Sequence, residues 1–239
     1  MTPFSLQTVD EVARVNVDAV KIASPDAVNV PLLRRVARLN RPLMISTGTA
    51  TLDELTTAAG IIACHPQGGC LLQCVSSYPT PEVDTALGGI VALAERFDLP
   101  VGYSDHTNET ATGALAVAAG ACVIEKHLTY DRSASGPDHA ASFDAGQFAE
   151  YTRAIRLTTQ MRGPTDKTIR PVEQEVRTLC RQSLCPTHDL PAGHVLNESD
   201  LTVKRPGTGI PAAELDEILG RRLRRDVTGN DLLSYDDLE

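Results

Sequence analysis

Residues 122–129 of the chain, CVIEKHLT, join a short apolar run directly to a cluster of ionisable side chains. The first three residues are typical of a buried strand, and the next three are Glu125, Lys126 and His127. Charge at the end of such a strand is expected where the strand leaves a packed interior and meets a pocket. The stretch therefore predicts a parallel sheet whose strands carry polar residues at their carboxyl ends.

Four other segments share this character and precede it: VDAVKIAS (17–24), PLMISTG (42–48), CLLQCVSSYP (70–79) and LPVGYSDH (99–106). They are almost continuously apolar rather than alternating, which favours parallel strands covered on both faces. Helical patterns follow the later strands: TLDELTTAAGIIAC (51–64), VDTALGGIVALAERF (83–97), NETATGALAVAAG (108–120) and DAGQFAEYTRAIRLTTQM (144–161). The first of these opens with a capping box formed by Thr51 and Glu54.

The spacing of the strand ends indicates repeated βα units. Lys21, Ser46, Ser76, Ser104 and Lys126 are separated by 25, 30, 28 and 22 residues. This is the period of a (β/α)8 barrel, in which polar residues at the carboxyl ends of the strands form the active site. We therefore predict an α/β fold, a partial (β/α)8 barrel of about five βα units over residues 1–160.

The remaining third of the chain has a different pattern. Residues 161–178 lose the apolar periodicity and gain glycine, proline and charge, and we interpret them as a linker. Residues 179–239 are rich in turn signals and too short for a further βα layer, which favours a small β-rich domain.

Composition excludes some classes of function. A formal net charge of −9 argues against general nucleic-acid binding. No apolar run reaches the roughly 18–20 residues of a membrane helix, and the N-terminal residues lack the pattern of a signal peptide. The six cysteines are scattered without a CxxC pair, as expected of thiols in a reducing compartment. A cytoplasmic protein is the expectation.

Two histidines end neighbouring predicted strands, His106 in GYSDH and His127 in IEKH. Neutral imidazoles are common ligands of divalent transition metals, and adjacent strand ends can bring two of them to one ion. The alternative is that they are two unrelated histidines, each satisfied by its own hydrogen bond.

Small hydroxyl residues recur at three strand ends, and lysines stand at two others. Hydroxyls, backbone amides and lysine together favour a phosphate site. The alternative is that the hydroxyls only stabilise turns. Their recurrence in successive units favours a phosphorylated ligand. The residues are Ser46, Thr47, Ser76, Ser77, Ser104, Lys21 and Lys126.

Taken in order, several strings resemble the sialic acid synthase family, which comprises N-acetylneuraminate synthase and its bacterial relatives. They are KIAS (21–24), STGTATLDE (46–54), CVSSYPTP (74–81), VGYSDHT (101–107), IEKHLT (124–129) and GPDHAAS (136–142). VKRPGTGI (203–210) and ILGRRLRRDV (218–227) are similar to the antifreeze-like SAF domain of that family. The resemblance covers essentially the whole chain.

The resemblance implies a homodimer in which each SAF domain caps the partner's barrel. It also implies condensation of phosphoenolpyruvate with an N-acylated hexose, such as N-acetylmannosamine, with release of phosphate. By motif, His106 and His127 would hold Mn²⁺ or Mg²⁺. Lys21, Ser46 and Ser104 would hold phosphoenolpyruvate beside Ser24. Asp26, Tyr78 and Asp138 would contact the sugar near Ser76, and Arg205 would reach its N-acyl group across the dimer.

The chain departs from the family pattern in two respects. It supplies five strand units where a closed barrel has eight, and the family's first-strand acidic residue and second-strand lysine have no counterpart. Five strands would leave an unpaired edge at residues 17–24 and an exposed apolar interior. Pro25, where relatives commonly have glycine, would also redirect Asp26.

Alternatives to an active synthase therefore stay open. One is an inactive truncated remnant, or a split subunit, that acts by binding a partner. Another is a different phosphoenolpyruvate-dependent synthase of keto-deoxy sugar acids, against which the SAF-like segment weighs.

Overall fold

The computed structural model describes all 239 residues and divides into two compact units, residues 1–165 and 166–239. The first unit contains the five predicted strands: β1 (Val20–Ile22), β2 (Leu43–Ser46), β3 (Gly69–Cys74), β4 (Val101–Asp105) and β5 (Ile124–Lys126). They form one parallel sheet in chain order. The predicted α/β fold, a curled part of a barrel, is confirmed.

Six helices accompany this sheet: α1 (Leu6–Val15), α2 (Val30–Ala37), α3 (Thr56–Ala63), α4 (Gly88–Phe97), α5 (Thr112–Ala118) and α6 (Ala145–Arg162). The first two were not among the predicted helices, although both have recognisable N-caps, Ser5 and Asn29. The Thr51–Glu54 capping contacts form, but they close a turn, and α3 begins only at Thr56.

The hydrophobic core of the first unit lies between the sheet and the helices. Side chains alternate along a strand, so that Val20 and Ile22 of β1 pack outward into this core while Lys21 points inward. At the carboxyl ends of the strands the inward face is polar. At these ends the apolar residues of the strands pack on the outward face, against the helices.

β1 lies at an edge of the sheet, as expected, and one backbone hydrogen bond is made from its outer side. The backbone amide of Lys21 donates to the carbonyl oxygen of Met1 at 2.9 Å, so the chain start lies beside this strand. No helix of the protein combines the length and hydrophobicity needed to cross a membrane.

The second unit contains α7 (Gln174–Cys180), α8 (Leu215–Ile218) and an antiparallel pair, β6 (Ser183–Pro186) and β7 (Leu201–Lys204). Isolated bridges such as Leu190–Val227 extend this pairing. Eight buried residues form its own core, among them Leu184, Ile210 and Leu223. The segment predicted as a linker, 161–178, includes the last residues of α6 and the first residues of α7.

Candidate active site

A cavity of about 300 Å³ opens at the carboxyl ends of the five strands. Eight of the eleven residues proposed from the sequence line it: Lys21, Ser24, Ser46, Tyr78, Ser104, His106, His127 and Asp138. They come from every strand end and from the loop after β5. The parallel arrangement brings them together because the carboxyl ends of all five strands lie at the same edge of the sheet.

The two histidines are neighbours. The ring centroids of His106 and His127 are 5.3 Å apart, and the planes meet edge to face at 78°. Nδ1 of His106 lies 2.8 Å from the carbonyl oxygen of Val75. Since a carbonyl only accepts, Nδ1 carries the proton and Nε2 keeps its lone pair. Tyr78 covers the His106 ring, with centroids 4.2 Å apart.

The two imidazoles differ in basicity. Burial and the nearby His106 lower the pKa of His127, which favours its neutral, metal-binding form. Burial also lowers the pKa of His106, but the hydrogen bonds to Cys74 and to the Val75 carbonyl outweigh it, so the pKa of His106 is raised. Metal binding at His106 would therefore displace a proton more often than at His127.

Lys21 and Glu125 meet across the cavity. They stand on the two edge strands of the sheet, yet Lys21 Nζ is 3.2 Å from Glu125 Oε2, which shows how strongly the sheet curls. Nζ also donates to the carbonyl oxygen of Ile22 at 3.0 Å. The Glu125 oxygen is outside hydrogen-bonding geometry, so the contact is a Coulombic one. The cavity thus combines a cation and a carboxylate.

The three serine hydroxyls that line the cavity differ in their hydrogen bonding. Ser24 Oγ accepts from the amide of Gly48 at 3.0 Å and donates to Cys74 Sγ at 3.3 Å. Ser104 Oγ lies 3.5 Å from His106 Nε2. Ser46 Oγ is buried and has no hydrogen-bond partner. A buried hydroxyl without a partner is costly unless a ligand satisfies it, so Ser46 is suited to hold one.

Three proposed residues lie elsewhere. Asp26 belongs to a 3-10 turn after β1, where its Oδ1 accepts from Asn29 at 2.9 Å, and it does not line the cavity. Ser76 is also outside the lining, and its hydroxyl covers Gly48, where a Cβ would come within 2.3 Å of it. Arg205 is an exposed residue of the second unit.

Lys126 does not add charge to the cavity, contrary to the prediction. Its side chain points to the helix side and is only 1% exposed, 3.5 Å from Asp105. Glu125 faces the cavity instead, although it was not among the proposed residues. The period of two along a strand supplies the missing signal, because Glu125 must share the face of His127.

The residues present fit a divalent metal in one respect. Two adjacent imidazoles, one with a fixed tautomer, match the preference of such ions for neutral histidine with its second nitrogen bonded to a carbonyl. No group of three His, Cys, Asp or Glu side chains is gathered to hold an ion. His106 and His127 would therefore hold a metal together with ligand or water oxygens.

Comparison with known proteins gives consistent matches. Residues 1–167 match the NeuB family, and residues 181–239 match the SAF domain. N,N'-diacetyllegionaminic acid synthase of Legionella pneumophila is 38% identical over 245 residues, covering 100% of this chain and 68% of that protein. Pseudaminic acid synthase of Helicobacter pylori is 34% identical over 241 residues, covering 100% and 70%.

A solved structure agrees with these relatives. N-acetylneuraminic acid (sialic acid) synthetase of Leptospira borgpetersenii, in complex with citrate, superposes with a TM-score of 0.70 at 35% identity. The match covers 73% of this chain and 61% of that one. The related proteins are thus synthases of three different nonulosonic acids.

Proposed function

The chain belongs to the NeuB family, and on that premise we propose that it condenses phosphoenolpyruvate with an N-acylated amino sugar to give a nonulosonic acid and phosphate. One observation carries the proposal. Lys21, the unpartnered hydroxyl of Ser46 and the pair His106–His127 face one cavity at the carboxyl ends of the strands. A cation and a free hydroxyl suit an anionic phosphate ester, and the imidazoles suit a metal.

The bonds made and broken define what the cavity must do. C3 of phosphoenolpyruvate forms a bond with the aldehyde carbon of the open-chain sugar, water adds to C2, and phosphate leaves with the C2–O bond broken. A divalent ion held by His106 and His127 would polarise the aldehyde oxygen. Lys21 would neutralise an anionic group of phosphoenolpyruvate, and Ser46 would donate to it.

The proton released when water adds needs an acceptor. Two carboxylates, Glu125 and Asp138, line the cavity. Asp138 Oδ2 is 4.0 Å from Nδ1 of His127, and Glu125 is paired with Lys21.

Two further residues would contact the sugar. Tyr78, half exposed at the cavity rim, would pack against it. Arg205 would contribute from a dimer partner, as the swapped arrangement implied by the resemblance requires.

The test is a product assay with matched variants. Purified chain is incubated with Mn²⁺, phosphoenolpyruvate and, separately, N-acetylmannosamine or a diacetylated hexose, and phosphate, nonulosonic acid and pyruvate are each measured. We expect phosphate and nonulosonic acid in equal amounts, without pyruvate, with one of the sugars. Lys21→Met should weaken phosphoenolpyruvate binding about tenfold or more, since a hydrogen bond to a charged group contributes roughly 1.5–3 kcal/mol. Lys167→Met, at an exposed position of the second unit, is the matched control.

Two outcomes would contradict the proposal. Phosphate released together with pyruvate, and without a nonulosonic acid, would show simple hydrolysis of phosphoenolpyruvate, and equal effects of the two lysine substitutions would remove Lys21 from the site. Product only after adding a second polypeptide that supplies further barrel strands would indicate a subunit rather than a complete enzyme.

A further inference from the structure

A buried polar network lies directly behind the two histidines, on the helix side of the sheet. Asp105 and Lys126 are register partners across β4 and β5. Each stands one residue before a cavity histidine, His106 or His127. Their side chains are 0% and 1% exposed, and neither lines the cavity.

Lys126 is fully occupied in this network. Its Nζ is 3.5 Å from Asp105 Oδ1 and donates to the carbonyl oxygen of Thr107, at the start of the next loop. The ammonium also lies 4.0 Å from the centre of the Phe143 ring, a cation–π contact. The lysine therefore links β5 to β4 and to the segment before α6.

Asp105 completes the link to α6. Its Oδ2 accepts from the hydroxyl of Tyr151 at 2.6 Å, and its Oδ1 accepts from both N and Oγ1 of Thr107 at 2.8 Å. Burial and the adjacent carboxylate raise the pKa of Tyr151, so the phenol stays a donor. Every polar side-chain atom of Asp105 and Lys126 therefore has a partner, and the contacts connect β4, β5 and α6.

Stability alone does not account for such a pair. Well-packed apolar residues commonly match or exceed a buried ion pair in net stability, because both charges must be desolvated. The same face of the sheet is otherwise packed with apolar residues such as Ile22 and Ile45. What the pair contributes is a defined geometry, because its bonds fix the position of the end of β4 relative to the end of β5.

We propose that Lys126, through Asp105, is a positioning residue that holds the imidazoles of His106 and His127 in their edge-to-face arrangement, 5.3 Å apart. A shift at either member of the pair moves the histidine that follows it. The metal-binding consequence of this proposal rests on the proposed function, whereas the ring geometry does not.

The experiment compares three variants of the full chain. Lys126→Met removes the positive charge, and Asp105→Asn combined with Lys126→Met removes both charges, so that none is left buried alone. Leu93→Ala, on the buried face of α4, is the control for lost stability. Mn²⁺ affinity is measured by calorimetry, thermal midpoint by circular dichroism, and ring separation in metal-free crystals.

We expect the single and double variants to bind Mn²⁺ about 10–100-fold more weakly, the range typical of groups that orient metal-binding histidines. Leu93→Ala should lose thermal stability but keep its affinity. The ring separation should change in the double variant without metal. If Lys126→Met does not fold, Tyr151→Phe removes only the hydroxyl and should show the same changes to a smaller extent.

Recovery of affinity in the double variant would overturn the proposal, because the loss would then come from an unpaired buried charge. An equal loss in Leu93→Ala would also overturn it. If the unsubstituted chain binds no Mn²⁺, the metal role in the proposed function fails. The ring separation then decides the positioning role by itself, and unchanged rings in the double variant would exclude it.

Discussion

Ser46 and Thr47 are neighbouring buried residues, but only one of their two hydroxyls has a hydrogen-bond partner. Thr47 Oγ1 donates to the carbonyl oxygen of Leu72 at 3.0 Å, whereas Ser46 Oγ faces the cavity without a partner. A hydrogen bond made inside the protein stabilises the fold, and one left unmade destabilises it. Thr47 therefore serves the structure, and Ser46 is available to a ligand.

This contrast gives a prediction for paired substitutions. Ser46→Ala should leave the free energy of unfolding unchanged or raised, because it removes an unsatisfied buried group, while weakening phosphoenolpyruvate binding. Thr47→Ala should lower the free energy of unfolding by about 0.5–1.5 kcal/mol and leave binding unchanged. Urea unfolding and calorimetric titration measure the two quantities. The reverse pattern would mean that Ser46 does not contact the ligand.

At the residue scale, the sequence predicts which residues belong to the site better than it predicts which way their side chains point. The strand-end positions of Lys21, Ser46 and the two histidines were sufficient to place them at one cavity. Charge alone predicts that Lys126 faces the cavity, whereas the alternation of side chains along β5 predicts that Glu125 does so and that Lys126 faces the helices. Asp26 was expected at the sugar, but the 3-10 turn that contains Pro25 directs it to Asn29.

At the scale of elements, α5 and α6 approach closely at a glycine. A Cβ built on Gly113 would lie 2.4 Å from Cζ of Tyr151, whose ring is buried and whose hydroxyl is held by Asp105. The ring cannot move aside without breaking that bond. Glycine at this position therefore lets α6 deliver Tyr151 to β4.

Gly113→Ala should accordingly lower the free energy of unfolding by about 1–3 kcal/mol, the usual cost of an overpacked core. The matched control is Gly60→Ala in α3, where a Cβ meets nothing within 4 Å. That exposed helix position should gain about 0.5–1 kcal/mol from the better helix propensity of alanine. Guanidinium unfolding distinguishes the two. A gain at both positions would show that the helices can separate at little cost.

The elements themselves were predictable to different degrees. Nearly continuous apolar runs located all five strands, because strands packed on both faces have few positions left for polar residues. The capping box predicts that α3 begins near Thr51, but the helix begins at Thr56, because Thr51 and Glu54 bond to each other in a turn before it. Nothing in a single strand's sequence specifies the register Asp105–Lys126, which depends on two segments folding together.

At the scale of the whole molecule, the second unit is stabilised by buried carboxylates as well as by its own core. Asp200 accepts from His194 Nε2 at 2.8 Å and from the amide of Asn197 at 3.0 Å. The hydrogen bond from His194 is the main reason that the pKa of Asp200 is lowered. Asp237 has a lowered pKa as well, because bonds from Ser234 and Arg225 outweigh its burial.

The lowered pKa values predict acid sensitivity of this unit. A carboxyl whose folded pKa lies below the unfolded value of about 3.9 contributes stability above that pH, and the contribution is lost as pH falls through the folded pKa. Protection of second-unit amides from hydrogen exchange should therefore fall between about pH 4 and pH 2. Asp200→Asn should be less protected at neutral pH and change less on acidification.

Asp216→Asn, at an exposed position in α8, is the control and should follow the unsubstituted chain. Identical pH profiles for Asp200→Asn and Asp216→Asn would show that the His194 contact contributes nothing. The sequence alone indicated a small turn-rich domain here, but it could not reveal Asp200 and Asp237 as buried, since acidic residues in turns are usually exposed.

The alternation of side chains along the strands has a consequence for substitutions. Ile22, Ile45 and Tyr103 pack against helices, while their neighbours Lys21, Ser46 and Ser104 face the cavity. Packing residues and cavity residues are therefore encoded at separate, interleaved positions of the same strands. A replacement on the inner face changes the chemistry of the cavity and leaves in place the side chains that pack the sheet against the helices.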